Sequence, residues 1–254
     1  MKRTAWFLTL TALLGLAWAP VASAQGTEMK TPLPFDEMAK LFGTHDGFTA
    51  TALVTVTEGA GAKPIKMTLP LAYRDGKFRS VVNMAEAMGA AGEGGEGAAM
   101  AQMVGLDKMV TLADTKSGQA WLILPALKAY TKMPVNSGSA AGSEAPGKVV
   151  KTKVGAETVD GQACTKYRIT VTPAPAGDTS ETYLWECAAL KNFPVKMELV
   201  DTGTHAVILY RQVSFTKPAA DLFVLPAGYK AYGTMQEMMM SAVQNMMMQQ
   251  GGAN

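Results

Sequence analysis

Ile65-Lys66-Met67-Thr68-Leu69-Pro70-Leu71-Ala72-Tyr73-Arg74, then Asp75-Gly76, then Lys77-Phe78-Arg79-Ser80-Val81-Val82-Asn83-Met84 is the stretch that decides the fold class. Ile65, Met67, Leu69, Leu71 and Tyr73 alternate with Lys66, Thr68, Pro70, Ala72 and Arg74, the period-two pattern of a strand with one buried face. Asp75-Gly76 is a two-residue turn whose backbone matches strand twist. The register then pairs Tyr73 with Phe78, Leu69 with Val82 and Met67 with Met84 on the apolar side, and sets Arg74 against Lys77 on the other. Pro70 has no N–H to give a neighbour, so this strand is expected at an edge or beside a bulge.

Working outward, the chain reads as strands from Gly47 onward. Candidates follow at 108–114, 119–124, 128–134, 148–159, 162–172, 180–188, 194–200 and 205–215, with turns at Lys116-Ser117-Gly118, Asp160-Gly161 and Asp201-Thr202-Gly203. Val195, Met197 and Leu199 alternate with Lys196 and Glu198, giving one buried face. Many short strands with regular turns indicate an antiparallel barrel or sandwich. Before them, residues 34–42 place Phe35, Met38, Leu41 and Phe42 at helical spacing, with Gly43 to end a short helix. Residues 85–103 are a glycine-rich insertion with helical ends, and residues 136–147 a Ser/Gly/Ala loop. No internal repeat is present.

The N-terminus has the three parts of a cleavable secretory signal: Lys2 and Arg3, an apolar centre over residues 6–18, and Ala22-Ser23-Ala24 after Pro20. The expected division is residues 1–24 as signal, 25–232 as a single β domain carrying the insertion at 85–103, and 233–254 as a Met-rich tail. Of the 23 basic side chains, two lie in the signal, which leaves 21 against 21 acidic ones. A neutral chain without a basic cluster lacks the footprint of a nucleic-acid binder. No second long apolar run is present, so no transmembrane segment is expected after cleavage. The expected location is periplasmic.

Cys164 and Cys187 are the two cysteines. A turn centred between Pro175 and Ala176 sets them directly opposite each other across an antiparallel pair, within bridging distance. The same register sets Lys166 against Trp185, Tyr167 against Leu184 and Arg168 against Tyr183. A disulfide is expected.

Chemistry is harder to find. His45 and His205 have no recognisable acidic or cysteine partner in sequence, and no nucleophile elbow, zinc helix or phosphate-cradling loop is present. No catalytic residue, metal or cofactor is assigned. The tail holds Met235, Met238, Met239, Met240, Met246, Met247 and Met248. Three readings compete: a partly helical tail packed loosely on the domain, an adaptable apolar surface, or a Cu(I) site on Met235, Met238, Met239 and Met246.

Several stretches together resemble the LolA/LolB-like superfamily of periplasmic lipoprotein carriers, and more closely its uncharacterised exported relatives. They are Tyr73 to Arg79, Trp121 to Pro134 with its Lys128-Ala129-Tyr130, Gly155 to Tyr167, Phe193-Pro194-Val195-Lys196-Met197, and Asp221 to Tyr229. The resemblance covers about residues 45–232. It implies a mainly β fold, an incomplete antiparallel β-barrel with a short N-terminal helix, whose concave apolar face is partly covered by helices and holds acyl chains. The insertion, the cysteine pair and the Met tail depart from the carriers. The reading is a non-catalytic periplasmic binding protein for an apolar ligand such as a lipid or acyl chain, with a lipoprotein or envelope protein as a further partner. Met67, Leu69, Leu71, Tyr73, Phe78 and Val82 are the candidate ligand-binding face. The alternatives are copper handling by the tail, or an interaction protein without a small ligand.

Overall fold

Twelve strands run in chain order as β1 (Gly47–Glu58), β2 (Ile65–Arg74), β3 (Lys77–Asn83), β4 (Lys108–Asp114), β5 (Gln119–Leu124), β6 (Ala129–Pro134), β7 (Lys148–Val159), β8 (Gln162–Thr172), β9 (Ser180–Cys187), β10 (Phe193–Asp201), β11 (Thr204–Ser214) and β12 (Lys230–Tyr232). They come from a computed structural model that describes residues 41–42, 45–58, 63–83, 86, 99, 101–103, 105–134, 148–172, 180–201 and 204–251. All belong to one sheet in the order β12-β6-β5-β4-β3-β2-β1-β11-β10-β9-β8-β7. The pairing is antiparallel except for β12, which lies parallel to β6. β12 and β7 stand at opposite ends of that order, so the sheet is open. Of the expected N-terminal helix only Leu41 and Phe42 lie within the described residues, and most of the 85–103 insertion lies outside them.

The turns work as their residues require. Asp75 and Gly76 have φ of 52° and 91°, and Asp160 and Gly161 have 48° and 79°. Both central positions of each turn are left-handed, the condition for a tight two-residue hairpin. Tyr73 pairs with Phe78 and Arg74 with Lys77, but the β2–β3 ladder ends at Leu71 with Ser80. The expected Leu69–Val82 pair therefore lies beyond it, and Met84 lies outside the described residues. Nor is β2 an edge strand: β1 pairs along its length, with Pro70 opposite Thr51. The ladder to β3 stops one residue short of Pro70, so the missing N–H leaves no gap on that side.

The sheet curls strongly. β3 and β10 stand four strand steps apart, about 19 Å across a flat sheet at the usual spacing. Yet the rings of Phe78 on β3 and Phe193 on β10 each lie 5.7 Å from the ring of Phe42. Register shifts occur at Thr49/Thr51, Lys153/Gly155 and Pro194/Lys196, and such bulges bend a strand and increase its twist. The last one corrects the reading of β10. Met197 and Leu199 join the main core, whereas Val195 turns to the opposite face and packs with Trp185, Cys164 and Cys187.

Cys164 and Cys187 form the expected disulfide, their Cα atoms 4.3 Å apart, and Lys166–Trp185, Tyr167–Leu184 and Arg168–Tyr183 are all facing pairs. After β11 the chain crosses the convex face, where Leu225 and Tyr229 pack on Val110, Leu112 and Ile123. It then adds β12 beside β6 and enters a helix, Met235–Gly251, whose Met238 belongs to the main core on the concave side. The C-terminal segment thus passes around the β6 edge of the sheet.

Candidate functional site: the covered concave face

Alternation along β2 and β3 directs Met67, Leu69, Leu71, Tyr73, Phe78 and Val82 to one face. The structure brings all six into a single apolar cluster, Tyr73 at its margin and the others buried, Leu69 to 1% exposure. The cluster extends through Leu122 and Met133 on one side and through Met197, Leu184 and Ile169 on the other. It fills the inside of the curl.

Two pieces of chain cover this face. Phe42 sits in a cage of four rings, 5.3 Å from Phe48, 5.7 Å from Phe78 and Phe193, and 5.5 Å from Tyr210. Each well-placed aromatic pair adds about 0.5–1.5 kcal/mol beyond the area it buries. The second cover is the C-terminal helix. Thr234 accepts the Glu237 N–H at its hydroxyl, 3.1 Å, while the Glu237 carboxylate accepts the Gly233 N–H, 3.0 Å, a reciprocal cap that starts the helix here. The Tyr232 hydroxyl donates to Ser241 Oγ at 2.8 Å and ties the helix to β12. Met238 is then 1% exposed and Met240 57% exposed, with Met235 and Met239 packed at the margin of the core. As far as Ala242 the tail is a helix docked on the core. The thioether of Met238 is already enclosed by apolar neighbours. The Met246 side chain lies outside the described residues. Among the described residues no group of three or more His, Cys, Asp or Glu is placed to hold a metal ion.

The face changes character toward β7. Lys151 there pairs with Glu186 of β9, and its ammonium lies 4.2 Å from the Tyr167 ring centroid. Deeper in, the Tyr210 hydroxyl has the Met197 sulfur, 3.5 Å away, as its one acceptor among the described residues, and burial pushes its pKa well above the usual phenol value. It stays neutral at any ordinary pH.

The histidines separate. His205 does have an acidic partner: its Nε2 lies 2.7 Å from Glu198 Oε1, an exposed contact between adjacent strands with no nucleophile in it. His45 lies at the rim of the ring cage, 4.6 Å from Phe215, with Nε2 buried and without a partner among the described residues. Burial, and secondarily Lys191, lower its pKa. The sequence names Phe42 only as a helix residue and Phe193 only within a resembling stretch, and nothing in it singles out Phe48 or Tyr210 alone. The run Phe48, Ala50, Ala52, Val54 and Val56, all buried, carries the same period-two signal as β2 and is the signal that reveals the floor of the cage.

No family model matches the chain, and no curated protein matches it. Among solved structures it is similar to a domain described as an outer membrane lipoprotein-sorting protein domain from Vibrio parahaemolyticus, 16% identical over 74% of this chain and 93% of that one, TM-score 0.37. The lipoprotein LppX of Mycobacterium tuberculosis is 10% identical over 65% and 85%, TM-score 0.36. LprF of Mycobacterium bovis is 13% identical over 75% and 92%, TM-score 0.35.

Proposed function

We propose that the chain is a non-catalytic periplasmic binding protein whose concave face takes a lipid or acyl chain. The observation that carries the reading is how that face is covered. Among the described residues no second sheet closes over it. Phe42 from one end of the domain and the helix from the other lie against it, and both can leave without breaking the ladder between strands. Met67, Leu69, Leu71, Tyr73, Phe78 and Val82 would then meet the ligand in place of these covers. Each methylene taken from water contributes about 0.8 kcal/mol, so a single acyl chain can exceed the cost of association and of displacing one cover. The disulfide supports an oxidising compartment, where such bridges persist. A lipoprotein or envelope protein that delivers or receives the chain fits the same surface.

The test has two parts. Native mass spectrometry of the mature chain from an oxidising compartment should show co-purified lipid. A fluorescent fatty acid should bind saturably, and more tightly to Met238→Ala, in which the helix is held less firmly. A chain that carries no lipid and takes up no fatty acid in either form would defeat the proposal.

A further inference from the structure

The convex face carries a feature unrelated to the acyl chain. Arg79 of β3 stands opposite Leu112 on one side and Ala72 on the other, on the face away from the core. Its guanidinium is partly buried, and burial lowers its pKa below the usual arginine value. Nearby, Arg74 and Lys217 both reach Asp75, and Arg211 reaches Asp160. Arg79 has neither an ion pair nor a side-chain hydrogen bond among the described residues.

It lines a cavity of about 300 Å³ together with Thr49, Thr51, Pro70, Ala72 and Gln212. Pro70 and Ala72 keep the floor low and apolar between the arginine on β3 and the polar side chains on β1 and β11. The opposite wall is built by backbone strain. Gln212 has φ of 51°, a left-handed conformation that a glutamine adopts at a cost, and it falls where the β1–β11 register shifts. Bulges re-aim side chains, and strained residues concentrate where a side chain must be held in place. The Thr51 hydroxyl donates to Gln212 Oε1 at 2.9 Å. That bond fixes the amide and leaves its NH₂ group as a donor without a described partner.

We propose that this trough binds a small monocarboxylate, its carboxylate on the Arg79 fork and the Gln212 amide, its short apolar body over Pro70 and Ala72. The guanidinium presents paired N–H groups in the spacing of a carboxylate. One fork offers one pair of parallel donors, which a single carboxylate fills. The cavity is at the small end of the range for ligand sites, which excludes a long acyl chain.

The probe is sodium butyrate, titrated into the full mature chain at constant ionic strength while the Arg79 side-chain N–H and the Thr51 backbone amide are followed by NMR. A charge-assisted hydrogen bond is worth about 1.5–3 kcal/mol, so Arg79→Gln should weaken saturable binding by roughly tenfold or more. Arg79→Lys keeps the charge without the fork and should recover only part of that loss. Gln212→Ala should weaken binding by a smaller factor, and it decides the matter if the arginine variants do not fold. No saturable shift, or equal binding in wild type and Gln212→Ala, would overturn the site. Inorganic phosphate saturating at lower concentration than butyrate would overturn the carboxylate assignment.

Discussion

The two faces of this one sheet are stabilised by different means. On the concave face a single apolar cluster runs from β5 and β6 to β8 and β9, with Phe42 and Met238 set into it from outside the sheet. Its stabilisation scales with area removed from water and has no preferred direction. The convex face is made of smaller separate patches, one of apolar packing around Leu112 and one in which directed contacts dominate. Trp185 lies beneath Lys166 and Lys196, 4.6 Å and 4.0 Å from its ring, and donates its indole N–H to Glu157 at 2.8 Å. Beside it are the disulfide and Val195, and Arg211 reaches Asp160 in an exposed pair. Exposed ion pairs contribute about 0–1 kcal/mol each. The concave side therefore holds the domain together, and the convex side sets its local shape.

The largest test of that difference is a charge moved by one residue. Leu69→Glu puts a carboxylate into the cluster at a position 1% exposed, where an unpaired polar group costs several kcal/mol. Circular dichroism should show loss of the fold. Thr68→Glu sits on the opposite face of the same strand and should change stability by about 0.5 kcal/mol or less. A folded Leu69→Glu chain would mean that the cluster admits water. If it also failed to take up fatty acid, the candidate face would be a ligand wall that stays open to water beneath its covers.

The disulfide is the intermediate test, because it is the strongest bond on the convex side. It closes a loop of sequence separation 23, which corresponds to about 3 kcal/mol in the chain-entropy model. Reduction should lower the denaturation midpoint by up to that amount and leave near-native circular dichroism, since the concave cluster does not depend on it. Global unfolding on reduction would show that the two faces are not independent. Non-reducing peptide mapping should recover Cys164 joined to Cys187.

Short-range signals make most of this fold legible in the sequence. Asp75-Gly76 and Asp160-Gly161 locate their hairpins, and the Cys164–Cys187 register follows from a single turn position. Strand limits from β4 to β11 agree with the sequence reading to within one residue, while β12 is absent from that reading. What stays hidden depends on events between distant strands. The bulge at Pro194/Lys196 reverses Val195, which simple alternation puts on the wrong face. The curl that brings Phe78 and Phe193 around Phe42 comes from twist accumulated over several strands. The Arg79 trough joins Thr49, Pro70, Arg79 and Gln212 from four strands, and no local pattern announces it. Pro70 signals an edge, because a proline reports a missing donor without saying which neighbour is spared.

The smallest expected effect concerns the imidazole of His45, caught on the apolar side. His45 packs 4.6 Å from Phe215 and 6.1 Å from Phe193, its Nε2 buried without a partner among the described residues. Lys191 also faces this ring, its ammonium 5.0 Å from the Phe215 centroid, so a protonated imidazole would meet a like charge as well as lose water. Burial first and Lys191 second thus lower the folded-state pKa below the reference value of 6.5. Between those two values the unfolded chain binds the proton and the folded chain does not. Stability contributed by neutral His45 is therefore complete above about pH 6.5 and declines as pH falls toward the folded-state pKa, below which the loss levels off. Urea midpoints measured from pH 7.5 downward should show this decline in the wild type. His45→Phe keeps the ring contacts and removes the titration, so its midpoint should stay flat over the same interval. Below about pH 4.5 a second decline should appear in both proteins. Burial of Glu198 raises its pKa, but the hydrogen bond with His205 and the charge of Lys196 outweigh that and leave it lowered, so protonating this carboxylate removes stability from the convex face. Identical slopes for wild type and His45→Phe above pH 4.5 would mean that the imidazole is hydrated after all, and that the rim of the concave face is wetter than its ring contacts imply.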